Sequence, residues 1–285
     1  MRVAAAIALA GVALIAAPAA ARAAGSADVA ALQVALRAGG DYAGTIDGVA
    51  GPGTRAAVRR FQSRHGLAVD GIAGRGTRAA LGRRGRPALG ARVLRVGSSG
   101  WDVAALQFRL AWRGFPSGYL DGGFGSHTQA ALRRFQAYAG LVPDGVAGPG
   151  TARALRGPIP RSPIWLVRPV QAPIGDRFGP RGNRFHTGVD FPAPTGTLVT
   201  AAGRGRVVSS GWDPGGYGNL VVIEHPRGVR SMYAHLSSIR VSPGQWVQAG
   251  SPVGGVGATG VASGPHLHFE LRLAGAAIDP LTALR

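Results

Sequence analysis

The pattern of apolar and polar positions divides the chain into two kinds of segment. The stretches "VAALQVALRAGG" (residues 29–40) and "VAALQFRLAWRG" (residues 103–114) place apolar side chains along one face of a helix and stop at glycine. "TRAAVRRFQSRHGL" (54–67) and "TQAALRRFQAYAGL" (128–141) repeat that period over about three turns, each opening on a threonine suited to capping. A last short helix is predicted to begin at Thr77, and again at Thr151. Asp-Gly pairs between these helices read as turns, with glycine supplying a positive φ. Beyond residue 169 the period changes. "TLVTAAGRGRVVSSG", "NLVVIEHPRGVRSMYAHL" and "PHLHFELRL" are short β-branched or alternating runs between Gly and Pro turns, the pattern of antiparallel strands. The proline-rich "GPIPRSPIWLVRP" (157–169) between the two kinds reads as a semi-rigid linker.

The helical half is duplicated at an offset of 74 residues. Leu32-Gln33 matches Leu106-Gln107, Asp47-Gly48 matches Asp121-Gly122, and Gly51 with Thr54 matches Gly125 with Thr128. Phe61-Gln62, Gly66-Leu67 and Asp70-Gly71 recur as Phe135-Gln136, Gly140-Leu141 and Asp144-Gly145, and Gly74, Thr77 and Leu81 recur as Gly148, Thr151 and Leu155. The expected fold is therefore multidomain: two small three-helix, all-α modules (residues 25–83 and 97–157), a linker (158–169) and a mostly antiparallel all-β domain (170–285). With 285 residues, each unit is expected to bury a core of its own.

Residues 1–24 combine one early arginine, an apolar Ala/Leu/Ile/Val run and small residues in an A-x-A arrangement, the pattern of a secretory signal peptide. The alternative is an uncleaved membrane anchor. The chain has no cysteine, which excludes disulfides, thiolate metal sites and a cysteine nucleophile; any metal must be held by His, Asp or Glu. All 32 basic residues are arginine, and the formal charge is +19. Residues 25–157 hold 18 Arg against 7 Asp, and residues 158–285 hold 12 Arg against 6 acids. Such a surface favours anionic polymers by long-range attraction. Nucleic acid is not expected as a partner, because the arginines are scattered over helix faces and no nucleic-acid-reading motif is present.

Four of the seven histidines, His186, His235, His266 and His268, fall beside glycine-rich turns of the β domain. In "GPHLHFEL" the alternation puts His266, His268 and Glu270 on one face of a strand, with two imidazoles about 7 Å apart at Cα. Such a pair, with further histidines nearby, points to a metal site. In "FHTGVD" a straight strand would hold His186 and Asp190 about 13 Å apart, too far to share an ion, and Gly188 with the nearby prolines disfavours a helix. A bend is expected instead. Glu270 either orients an imidazole or is an exposed strand residue. His225 is expected to be structural and His65 and His127 to take no catalytic part; Tyr217 and Tyr233 either line a substrate groove or, the commoner fate of such residues, serve in aromatic packing.

The order LQ, DG-x-x-G-x-x-T, FQ, GL, DG, G-x-x-T resembles the peptidoglycan-binding domain found beside bacterial cell-wall hydrolases, over residues 28–82 and 101–156. "FHTGVDFPAPTGTLVTAAGRGRVV", "MYAHLSSIRVSPGQWVQAGSPVG" and "GATGVASGPHLHFEL" resemble the LytM/lysostaphin-type zinc metallopeptidases, with their H-x-x-x-D, central H-L and H-x-H in order over about residues 170–281. The resemblance implies that His186, Asp190 and His268 bind Zn2+, that His266 acts as general base and that His235 stabilises the developing oxyanion. It implies an exported endopeptidase, secreted or in the cell wall, that cuts peptide cross-links of peptidoglycan. It is expected to be a monomer, off the membrane once the leader is removed and held to the wall by its tandem modules. A non-catalytic wall-binding or amidase-activating protein is the alternative. Relatives of this type cut either glycine bridges or bonds between D-alanine and a diamino acid.

Overall fold

The computed structural model describes residues 25–285; the leader expected over residues 1–24 lies outside the described residues. The first repeat forms α1 (Ala27–Ala38), α2 (Pro52–Arg64) and α3 (Arg75–Ala80), and the second forms α4 (Trp101–Trp112), α5 (Ser126–Tyr138) and α6 (Pro149–Ala154). None of these helices is long and apolar enough to cross a membrane.

Threonine does not cap them as expected. The N-caps of α2, α3, α5 and α6 are Gly51, Gly74, Gly125 and Gly148, and the threonine lies inside each helix, buried. Each threonine instead completes a polar network around a buried glutamine. Gln33 Nε2 donates to Asp47 Oδ1 (2.8 Å), Val49 O (3.2 Å) and Thr54 Oγ1 (3.1 Å), and its Oε1 accepts from Gly48 N (2.9 Å). Gln62 repeats this with Asp70, Ile72, Thr77 and Gly71, Gln107 with Asp121, Gly123, Thr128 and Gly122, and Gln136 with Asp144, Val146, Thr151 and Gly145. The glycine of each Asp-Gly pair sits at φ between +73° and +76°, which turns its N–H onto the glutamine. The duplication visible at 74 residues is thus four copies of one network, two per module.

The modules do not bury separate cores. α1 packs along α4, and one cluster joins Leu36, Phe61, Trp101, Phe108 and Trp112 to Phe178 and Ala277 of the β domain. The other face of α4, through Val103, Leu106 and Leu110, fills a second cluster. A module of this size buries too little apolar surface alone, so the helices share it. The linker is docked as well: Ile159 packs on the helical cluster, while Leu166 is buried in the β domain and exchanges hydrogen bonds with Ala283 and Arg285.

The β domain comprises β1 (Gly179–Arg181), β2 (Arg184–His186), β3 (Val189–Pro192), β4 (Leu198–Thr200), β5 (Gly205–Asp213), β6 (Gly218–Glu224), β7 (Val229–Ala234), β8 (Ser238–Ile239), β9 (Trp246–Val247), β10 (Pro252–Gly255), β11 (His266–Leu273) and β12 (Ala276–Ile278). Every strand pair is antiparallel. The main sheet runs β12-β11-β7-β6-β5-β9, and β3 joins β11 beside β12. Leu267, Phe269 and Leu271 point into the core with Val221, Ile223 and Tyr233, which leaves the alternate residues of β11 to the opposite face.

The β1–β2 hairpin is clamped by the helices. Its turn residues accept from Ile46 N (to Gly182 O, 2.8 Å) and Leu120 N (to Asn183 O, 2.8 Å). The Arg184 guanidinium lies 4.1 Å from the Tyr119 ring centroid, and Trp112 meets Phe178 and Phe185 edge-on at 6.3 and 5.3 Å. Gly114 lets the helical half close on β12 as well: Ala277 N donates to its carbonyl (3.1 Å), and a Cβ there would fall 2.2 Å from Ala277 O.

Candidate metal centre

Three strands bring the H-x-x-x-D and H-x-H residues to one point. β2 ends at His186 and the chain turns at Thr187-Gly188 into β3, so the bend lies between two short strands. Gly188 is required by packing, since a Cβ would meet Phe269 O at 2.5 Å and His268 Cε1 at 2.9 Å. The β3–β11 register sets Asp190 opposite His268. His186 Nε2, Asp190 Oδ1 and His268 Nδ1 then form a triangle with sides of 3.1, 2.7 and 3.0 Å. All three residues are buried. A tetrahedral zinc ion with bonds of about 2.0–2.1 Å separates its ligand atoms by about 3.3 Å, close to this spacing.

The surroundings fix which ring nitrogen carries hydrogen. His186 Nδ1 lies 3.0 Å from Arg177 O, a group that can only accept, so Nδ1 holds the proton and Nε2 turns a lone pair inward. His268 Nε2 donates to Glu270 Oε1 (3.1 Å), leaving Nδ1 for the centre. Two lone pairs and a carboxylate oxygen therefore face one another, an arrangement stable only around a positive charge. Burial opposes ionisation of Asp190, yet positive charge on the facing imidazoles of His186 and His268 holds its carboxyl far below the usual range. Burial likewise opposes protonation of His268, but Asp190 and Glu270 raise it to about 9. A proton on His268 or a divalent cation supplies the required charge, and the donor set, two imidazoles and one carboxylate, suits zinc.

Glu270 is fully buried rather than exposed. It accepts from Thr187 Oγ1, from Tyr217 Oη (2.8 Å) and from Arg272 Nε (3.0 Å) and Nη2 (2.8 Å) besides His268. Burial works against its charge, but His268 and Arg272 hold it at about 2. It is the anion that orients His268.

His235 and His266 stand beside the triangle rather than in it. His266 Nε2 is 3.7 Å from Asp190 Oδ1, and its Nδ1 is 2.8 Å from Gly264 O. His235 follows β7 at φ +62°, a left-handed conformation that turns its ring into the groove 4.9 Å from that of His266. Its Nδ1 is 2.8 Å from Thr259 O. Both rings thus present Nε2 lone pairs to the groove. Burial lowers the pKa of His235, so in its resting form it is an acceptor, and it becomes a donor only after taking up a proton.

The remaining histidines are apart. His225 is buried between Arg204 O (2.8 Å) and Ser231 Oγ (2.7 Å), and His65 stacks on Phe61. Tyr233 packs on Phe269 in the core, whereas Tyr217 serves Glu270. Sequence reasoning missed the carbonyls of Arg177, Thr259 and Gly264, which carry no side-chain signal. It also missed Arg181, whose Nη2 lies 2.6 Å from Asp190 Oδ2. A signal for Arg181 existed: Gly182-Asn183 is a hairpin turn, and a hairpin there sets Arg181 opposite Arg184 and Gly179 opposite His186.

Residues 184–280 match peptidase family M23, and residues 25–81 and 99–155 match the putative peptidoglycan binding domain. A DD-carboxypeptidase/endopeptidase of Neisseria meningitidis is 43% identical over 122 residues, which are 42% of this chain and 28% of that protein. The murein hydrolase activator EnvC of Escherichia coli is 40% identical over 114 residues, 39% of this chain and 27% of that one. The chain thus spans less than a third of the length of either relative. The catalytic domain of lysostaphin from Staphylococcus simulans is 36% identical with a TM-score of 0.37, covering 39% of this chain and 90% of its own.

Proposed function

The chain carries a peptidase family M23 domain behind two peptidoglycan-binding repeats, and from that premise we propose that it is an exported zinc endopeptidase hydrolysing peptide cross-links of bacterial peptidoglycan. The observation that carries this reading is the triangle of inward-facing acceptors formed by His186, Asp190 and His268, with His235 and His266 offering two further lone pairs to the same groove. His186, Asp190 and His268 are assigned as the zinc ligands. When bound, zinc supplies Lewis acidity, polarising a carbonyl and acidifying water.

The protein's own groups handle the proton. His266 Nε2 is placed to accept it from water at the edge of the centre, while Gly264 O holds the opposite N–H and so fixes the tautomer and orientation of the ring. The protonated ring then returns it to the departing amine. His235, anchored on Thr259 O, serves as a donor toward negative charge on the carbonyl oxygen once it has taken up a proton of its own. Export rests on the pattern of residues 1–24, and wall attachment on the repeats. Muropeptide mass spectrometry of purified sacculi treated with the full-length protein tests the reading. Release of cross-link cleavage products that stops on chelation, resumes with zinc and is absent from His186→Ala is the expected result; products that persist in His186→Ala defeat it.

Similarity to a murein hydrolase activator favours a second reading, a docking domain without catalysis. The complete donor set argues against it, since docking requires no buried centre of unpaired acceptors.

A further inference from the structure

The groove over the centre, about 920 Å3, has one wall at Gly215–Tyr217 and the other at Val261–Pro265. In a chain with 32 arginines its lining includes a single one, Arg181. The Nη2 of Arg181 engages Asp190 Oδ2 at 2.6 Å and Asp176 Oδ2 at 2.7 Å. Among the described residues its Nε and Nη1 have no hydrogen-bond partner, and the side chain is half exposed. The guanidinium is therefore anchored through one nitrogen to a residue of the centre, with further N–H groups open to the groove. The hairpin beneath it is held by Ile46 and Leu120, so the group is preorganised. Its other partner, Asp176, is two-thirds exposed, and an ion pair of that kind yields easily to an incoming anion.

We propose that Arg181 reads a free carboxylate on the carbon bearing the scissile nitrogen, and so selects D-alanyl cross-links to a diaminodicarboxylic acid over other bridges. This rests on the peptidase reading above. The chemistry follows from position. Arg181 touches the carboxylate of Asp190, whose other oxygen belongs to the centre, so any anion it binds lies beside the scissile bond. In an amide between D-alanine and a diaminodicarboxylic acid, the carbon attached to the amide nitrogen also carries a carboxylate. In the corresponding lysine cross-link that substituent is hydrogen, and within a glycine bridge the next group is an uncharged amide. A planar guanidinium with open N–H groups matches the first and gains nothing from the others.

The test uses the full-length zinc-loaded protein and four synthetic peptides: a D-alanyl cross-link to meso-diaminopimelate, its carboxamide, the lysine analogue and pentaglycine. The wild type is expected to prefer the free carboxylate over the carboxamide by about 10- to 150-fold in kcat/KM, the range for a hydrogen bond to a charged group. Arg181→Gln should bring that ratio to within about threefold of unity, with Arg181→Lys in between. The ratio compares two substrates of one enzyme preparation, so any loss of active fraction cancels. A purely structural role, holding Asp190 in place, would depress both substrates together and leave the ratio unchanged. That result, or equal cleavage of carboxylate and carboxamide by the wild type, overturns the inference. A preference for pentaglycine overturns it while leaving the peptidase intact; failure on all four peptides removes the peptidase reading and this inference with it.

Discussion

The helical repeats and the β domain bury polar side chains in opposite ways. Around Gln33, Gln62, Gln107 and Gln136 each donor finds an acceptor within the same module, and the networks close on themselves. Around Asp190 Oδ1 the facing ring atoms, His186 Nε2 and His268 Nδ1, are acceptors when both rings are neutral, and the network closes only around an added positive charge, a proton or a cation. A saturated buried network specifies a fold, while an unsaturated one is a binding site. Asp70 and Asp144 illustrate the first kind: in both, a backbone N–H two residues on and then the glutamine amide hold the carboxyl below its usual value, in the same order of importance.

The sharpest break of this contrast is at the open network. His186→Ala should abolish bound zinc, measured by elemental analysis against about one equivalent in the wild type, and take cleavage of sacculi below detection. The helical half should keep its circular dichroism. A variant that retained both metal and activity would mean that the triangle is not the working site. Next in size comes Glu270→Gln, which removes the anion that fixes His268 Nε2–H while preserving shape. A loss of zinc affinity of about 10- to 100-fold is expected in competition with a chelator; unchanged affinity would show that the Glu270 charge does not tune the centre.

At a closed network the expected damage is to stability alone. Gln107→Ala strands the buried Gly122 N–H and removes the amide that ties Asp121, Gly123 and Thr128 together, at a cost of about 2 kcal/mol in denaturant unfolding, with kcat on a soluble peptide unaltered. Because the four networks share one geometry, Gln136→Ala should cost about the same. A large drop in kcat from either substitution would dissolve the distinction between the two halves.

Much of this arrangement could be read from the residues. The period of apolar positions sufficed for six helices, because Ala, Leu and Phe recur on one face, and the alternation in "PHLHFEL" correctly separates His266, His268 and Glu270 from the core. The bend between His186 and Asp190 followed from the length of a straight strand. What stayed hidden depends on contacts distant in sequence. The fourfold network has no fixed period in the sequence, because Gln and Asp are 14 residues apart in one copy and 8 in the next, although Asp-Gly and Thr keep their spacing. Capping is the local reading of the threonines, whereas their glutamine partners come from preceding helices. Both faces of α4 are covered, one by α1 and the β1–β2 hairpin and the other by α5, so that 11 of its 12 residues are buried, and these partners lie far from it in sequence.

The smallest expected effect decides whether the contrast belongs to regions or to networks. His225 lies in the β domain, yet its surroundings resemble the helical half: Arg204 O takes the Nδ1 proton, Ser231 Oγ meets Nε2, and no acceptor faces another. Burial lowers its pKa below the ordinary 6.5, opposed only in part by the Arg204 carbonyl. The unfolded chain therefore binds the proton first as pH falls, and the stability contributed by neutral His225 is complete above pH 6.5 and drains away below it. Burial lowers His235 in the same direction, so the comparison must be made against a variant. In urea unfolding of the zinc-loaded protein between pH 7.5 and 5, His225→Gln should lose less stability on acidification than the wild type, and activity at pH 7.5 should be equal in the two. Equal acid sensitivity would mean that His225 is already charged in the fold, and a saturated network in the β domain would then have no example.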